Sequence, residues 1–141
     1  MTADSVESRA MFSNDPAAVA HTFESFGFAP LAQFNGVPFG VLRAPDLDAS
    51  QWERHPDTDE FLMVLEGSVT VEVLTDTDSH FVPLTPGQFV IVPSGLWHRH
   101  TMARGVVEMF YMPGTNEQST AVDPRFDHSP LVTDAMDSFG G

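Results

Sequence analysis

Two stretches decide how this chain reads. They are Trp52-Glu53-Arg54-His55-Pro56-Asp57-Thr58-Asp59-Glu60 and Gly87-Gln88-Phe89-Val90-Ile91-Val92-Pro93-Ser94-Gly95-Leu96-Trp97-His98. The first holds the pattern Glu53-x-His55-x4-Glu60, the second Gly87-x5-Pro93-x-Gly95-x2-His98. Together they supply two imidazoles and two carboxylates, a donor set that suits one divalent metal ion. Alternate side chains of a strand share a face, so Glu53 and His55 project together, roughly 6.8 Å apart at ~3.4 Å per residue. Side chains of that reach converge on an ion with bonds of about 2.0–2.2 Å. Glu60 opens the next strand after the turn Pro56–Asp59. His98 enters from a distant strand, aimed inward by the turn Pro93-Ser94-Gly95. Singly, each has an ordinary reading: His55 as a loop histidine, Glu60 as a solvated charge beside Asp59, His98 as a core histidine beside Trp97. The shared spacing and the turn before His98 join them.

Outward from these stretches the pattern is of strands punctuated by Pro, Gly and Asp. Strands are expected at 37–44, 50–55, 60–66, 68–75, 80–84, 88–92, 96–102 and 106–112. Gly67-Ser68 reads as a tight turn, Thr75–Asp78 as a loop tip and Thr85-Pro86-Gly87 as a turn. Eight short strands at this spacing predict an all-β, double-sheet antiparallel barrel. Ahead of it, Asp15-Pro16 has the form of a helix N-cap and first helical residue. Val19, Phe23 and Phe26 follow at helical spacing before Gly27, which predicts one short helix over 16–25 with His21 partly exposed on it. The chain divides into an N-terminal arm and helix (1–36), a barrel (37–113) and a polar, acidic tail (114–141) expected to be loose.

The composition excludes several chemistries. There is no cysteine and no lysine, and the six basic residues are all arginine. That removes thiolate nucleophiles, disulfides and Schiff bases on a side-chain amine. Net charge is −14, so neither nucleic acid nor an anionic membrane surface is an expected partner. No run approaches the ~20 apolar residues of a membrane span. The first ten residues lack the apolar stretch of a secretory signal, and a cytoplasmic location is expected.

The stretches 52–67 (WERHPDTDEFLMVLEG) and 87–98 (GQFVIVPSGLWH) resemble the two sequence motifs of the cupin superfamily, and the resemblance covers about 50–113. It implies a double-stranded β-helix, a jelly-roll-like barrel, with Glu53, His55, Glu60 and His98 at the ligand positions of one divalent metal. Three positions depart from the family pattern. Glu53 stands where the first histidine is usual, Leu47 where an early glycine is, and Met102 where an asparagine often closes the second motif. Some cupin sugar-phosphate isomerases carry Gln-x-His at the first of these, so an oxygen donor is tolerated there. A second carboxylate brings the ligand charge to −2 and favours Fe²⁺ or Mn²⁺, with Zn²⁺, Ni²⁺ or Co²⁺ as alternatives. Glu53 is alternatively a general base beside the ion, or the site has lost its metal.

Strand parity places His100 beside His98 as a replacement ligand, an orienting group, a proton carrier or an ordinary hydrogen-bonded histidine. It turns Arg54 and Arg99 outward. Glu108, near Arg104, reads as a surface residue. Gln51, Leu62, Val64, Met102, Met109 and Tyr111, with Trp97 or Leu96, are the expected wall of a mostly apolar pocket for a small organic molecule, and Tyr111 is a further proton carrier beside Glu53 and His100. The resemblance implies a mononuclear metal enzyme, leaning to oxygen-dependent oxidation or dioxygenation. The alternatives are a Lewis-acid isomerase, cyclase or lyase, or a binding protein without turnover. It also implies a homodimer, formed through sheet edges or exchanged N-terminal strands, for which 28–44 is the available segment.

Overall fold

The structure is a computed structural model that describes residues 13–134. One short helix, α1 (Pro16–Ala20), precedes ten strands: β1 (Gly27–Phe34), β2 (Val37–Arg43), β3 (Leu47–Ala49), β4 (Trp52–Arg54), β5 (Glu60–Leu74), β6 (Ser79–Leu84), β7 (Phe89–Val92), β8 (His98–Tyr111), β9 (Thr115–Ser119) and β10 (Leu131–Asp134). All pairings are antiparallel. The fold is the expected all-β one, a sheet curled on itself. Among the described residues no helix is long and apolar enough to cross a membrane.

Two long strands build the curl. β5 and β8 pair along their whole length, and each serves two leaves of the sheet. The start of β5 and the end of β8 lie between β7 and β2, with β1 at the edge. The end of β5 and the start of β8 lie between β6 and the short strands β3 and β4, beyond which come β9 and β10. Leu62 and Val64 of the first leaf and Val69, Val71 and Val73 of the second form one buried core with Leu84, Val92, Ala103 and Val106.

The inward set of β5 changes parity between Val64 and Val69, where the register with β8 shifts. The expected tight turn at Gly67-Ser68 is therefore a bulged corner within one continuous strand. Gly67 has φ 71°, and a Cβ there would lie 2.3 Å from the carbonyl oxygens of Arg104 and Gly105, so only glycine lets the backbones approach this closely. Gly105 (φ 57°) and Met102 (φ 51°) mark the matching irregularities of β8, and the expected strands 96–102 and 106–112 are one.

Three other expectations are corrected. The helix ends at Ala20, where Thr22 and Phe23 bond back to Val19 and Ala20 in tight turns. Only its Val19–Ala20 edge packs, against Leu31, Val41 and Val107 on the outside of the first leaf. Residues 27–34 pair with β2 through the turn Asn35-Gly36, both residues at positive φ, a two-residue hairpin for which Asn-Gly is the preferred chemistry. Residues 115–119 are a strand between β4 and β10 and not a loose tail. Its buried Asn116 and Ser119 show why no apolar alternation announces it.

Candidate metal centre

β4 presents Glu53 inward, opposite His98 of β8. His55 follows at the end of β4, and Glu60 is the first residue of β5. These four offer ligand atoms that all lie within 4.8 Å of one another. His55, Glu60 and His98 are buried, with side-chain exposures of 2%, 6% and 1%, and Glu53 is half-buried. Glu60 Oε1 is 2.8 Å from His98 Nε2 and 3.4 Å from His55 Nε2, and the two imidazole rings are 5.3 Å apart.

The protein's own hydrogen bonds leave this group unfinished. His98 Nδ1 faces the Leu96 carbonyl at 3.3 Å, so donation there turns Nε2 to the cluster. Neither ring nitrogen of His55 has a hydrogen-bond partner of good geometry, although both are buried. Buried polar atoms are ordinarily paired. An imidazole nitrogen with no partner, beside a second imidazole and a carboxylate, is what a divalent ion would complete. The donor set therefore fits a metal, and its carboxylates suit a harder ion.

The electrostatics agree. Burial works against protonating His55, yet the Glu60 carboxylate, with Glu53 behind it, outweighs burial and raises its pKa. Burial alone would raise the Glu60 carboxyl, but contact with His55 and His98 holds it well below the usual range. The pocket is therefore strongly cation-favouring.

A second cross-leaf pair lies one inward position along β8. His100 pairs in register with Val71 of the second leaf and Glu108 with Val64 of the first, and the His100 Nε2 and Glu108 Oε1 atoms hydrogen-bond across the interior. Glu108 is fully buried, and its other oxygen has no partner. This corrects the surface reading of Glu108. Burial lowers the His100 pKa, but the Glu108 carboxylate more than reverses this and raises it to about 9. At 16% side-chain exposure, His100 is more open to solvent than the three buried members of the metal group.

The other expected site residues divide. Leu62 and Val64 are in the interior core. Tyr111 and Met109 pair with Phe61 and Met63, on the face of β5 opposite to Glu60 and Leu62. Tyr111 packs edge-on to Phe34 at 6.5 Å, and Met109 joins the cluster under α1. Trp97 is buried with Trp52 and Leu74, covered by the Arg54 guanidinium at 4.5 Å from its ring, as Trp52 is by Arg99 at 4.2 Å. Gln51 is exposed, and Met102 is 63% exposed at the bulge of β8. Parity thus placed Gln51, Met102, Met109 and Tyr111 inside where the structure does not, and of the pair Trp97 or Leu96 it is Leu96 that packs against the interior core. Sequence reasoning missed Gln118, whose Nε2 lies 3.4 Å from Glu53 Oε1.

Among proteins of curated function, none matches this chain. Solved structures share its fold at low identity. A hydroquinone 1,2-dioxygenase determined with Cd²⁺ and 4-hydroxybenzonitrile is 22% identical, with a TM-score of 0.54 over 72% of this chain and 77% of that one. A cupin-2 domain protein from Shewanella frigidimarina is 18% identical, with a TM-score of 0.53 over 73% of this chain and 90% of that one. A protein from Neisseria meningitidis is 17% identical, with a TM-score of 0.55 over 71% of this chain and 97% of that one. The family model of the cupin domain matches residues 42–112, a span that begins in β2 and holds Glu53, His55, Glu60 and His98. With the curled antiparallel sheet and this match over half its length, the chain belongs to the cupin family.

Proposed function

We propose that this chain is a mononuclear metal-dependent enzyme acting on a small organic molecule, with oxygen-dependent oxidation as the leading reaction. The observation that carries this reading is the buried imidazole of His55, which has no well-formed hydrogen bond, at the meeting point of Glu53, Glu60 and His98. These four residues would hold Fe²⁺ or Mn²⁺, which when bound supplies Lewis acidity and, with iron, access to oxygen chemistry. His55, Glu60 and His98 are closed off by burial, so a substrate would approach a bound ion from the more open side of Glu53 and His100. The surrounding Leu62, Val71 and Val73 are buried and apolar and exclude water. Glu108 fixes the His100 ring and keeps it protonated through neutral pH. The dioxygenase with the same fold supports the oxidative reading by analogy of architecture.

A second reading, a Lewis-acid isomerase or lyase, is favoured by the half-burial of Glu53, a carboxylate placed to accept a proton from a substrate. Both are tested by metal analysis of protein made with iron, manganese and zinc supplied in turn, followed by melting with each ion. The expected result is about one equivalent of ion and a melting rise, since binding only the folded state stabilises it. Less than about a tenth of an equivalent, with no stabilisation by any ion, refutes the metal reading. Oxygen uptake during turnover supports the oxidative reading, whereas oxygen-independent turnover abolished by Glu53→Gln supports the second.

We also propose that the chain works as a homodimer. Phe61 and Phe89 stack at 5.4 Å on the outside of the first leaf, and Phe34, Phe89 and Ile91 are 62%, 57% and 53% exposed. In a chain of net charge −14 this face bears aromatic and aliphatic groups, so it offers a cationic partner nothing to pair with and a second copy a matching surface. Light scattering should give twice the 15.4 kDa chain mass. A monomer that persists at high concentration refutes the dimer.

A further inference from the structure

The family match ends at residue 112, yet the strand that carries Glu53 is held chiefly by what comes after it. β4 is three residues long and meets β8 in register at one position, Glu53 opposite His98. On its other side it forms a full ladder with β9: Trp52 opposite Ser119, Glu53 opposite Gln118, Arg54 opposite Glu117. Side-chain bonds reinforce the ladder. Arg54 Nε donates to Glu117 Oε2 at 3.0 Å, and the Thr115 backbone donates to Asp57 Oδ1 at 3.1 Å. β9 is anchored in turn by β10 and by Ser119 Oγ, which donates to Asp127 Oδ2 at 2.5 Å.

Residues directly opposite in an antiparallel pair place their side chains on the same face. Gln118 and Glu53 therefore share the inward face, and Gln118 Nε2 lies 3.4 Å from Glu53 Oε1. A carboxylate only accepts, so the carboxamide must present its NH₂. Among the described residues this is the one hydrogen-bond donor to the Glu53 side chain. Its chemical type matters. Lysine or arginine here would compete with a cation for the carboxylate, and an acid would repel it. A neutral amide orients the carboxylate and leaves its charge for an ion.

We infer that Gln118 is a positioning residue for the metal centre, holding one oxygen of Glu53 against β9 so that the other is presented to His55, Glu60 and His98. The inference rests on the metal reading above and assigns to this chain's C-terminal segment a part in setting affinity and ion preference. Outer-shell partners of this kind alter metal affinity by about 10–100-fold when removed.

The test uses full-length wild type, Gln118→Met, which keeps the side-chain length but not the donor, Glu53→Gln, and the double variant. Mn²⁺ and Zn²⁺ affinities are measured by chelator competition, with melting of each metal-free protein as a control. The expected result is an Mn²⁺ affinity for Gln118→Met about tenfold below wild type, unchanged metal-free melting, and no additional loss in the double variant beyond that of Glu53→Gln. If Gln118→Met does not fold, Gln118→Asn, which withdraws the amide by one methylene, replaces it with the same expectation. Wild type that binds ion while the Gln118 variant stays within twofold overturns this inference alone, as do fully additive losses in the double variant. Wild type that binds neither ion overturns the metal reading as well.

Discussion

The His100–Glu108 pair should make the metal-free protein lose stability as pH rises through the neutral range. An imidazole in the unfolded chain releases its proton near pH ~6.5, whereas in the folded protein Glu108 holds the proton on His100 up to about 9. The stabilisation is therefore fully present below pH 6.5 and is lost progressively between 6.5 and 9. The interval from 6.5 to about 9, at ~1.36 kcal/mol per pH unit, amounts to about 3 kcal/mol. Solvent screening subtracts little, since the two side chains are 16% and 0% exposed. For a chain of 141 residues that is a melting shift of roughly 10 °C. The assay is denaturant unfolding in chelator at several pH values from 6.5 to 9, on wild type and on Glu108→Gln, which keeps an acceptor but removes the charge. His55 and Glu60 also titrate with folding and are common to both proteins, and the smaller pulls of Glu53 and Glu60 on the His100 proton remain in the variant, so the difference reads the Glu108 share. The stability gap between wild type and variant should shrink by about 3 kcal/mol across this range. A gap constant to within about 0.5 kcal/mol, well below the expected change, would refute the argument that a buried Glu108 carboxylate controls His100.

Two further outcomes follow from the corner of β5 and from the ligand set. Gly67→Ala should cost about 3 kcal/mol or more, because its Cβ would meet backbone oxygens of β8 at 2.3 Å at a φ of 71°. Gly87→Ala, also at positive φ but with nothing within 4 Å, should cost only about 1 kcal/mol; equal melting losses would show that crowding at the corner is not the cause. Metal content after dialysis should fall as the buffer is taken from pH 8 to 5, since imidazoles must be neutral to bind. Full retention at pH 5 would speak against His55 and His98 as ligands.

Local spacing made the proximity of Glu53, His55, Glu60 and His98 legible, because His55, Glu60 and His98 lie at strand ends next to turns whose chemistry is visible in Pro, Gly and Asp, and Glu53 shares a face with His55. Parity failed further along β8 for a physical reason. Val106, Glu108 and Phe110 alternate with Val107, Met109 and Tyr111, and both faces are packed, one on the barrel interior and one toward α1 and its neighbours. A strand covered on both sides carries no polar–apolar alternation, and bulges near Met102 and Gly105 prevent counting from His98. Glu108 was the exception to the apolar run, and a lone acid among apolar residues was the available signal. Gln118 carried none: Thr115–Ser119 is polar at every position, and its place is set by backbone pairing and buried polar contacts.

Glu60 and His98 are the first residues of β5 and β8, the two strands shared by both leaves. A single ion gripping both would close a ring that runs along β5, across the ladder at Val73 and His98, and back through the ion. Such a ring would work as a latch. With an ion in place the leaves could part at this end only as the ion let go, so opening there and release of the ion would be coupled. Amide hydrogen exchange at the far ends of both leaves would then report whether the latch is shut, without any probe at the site itself.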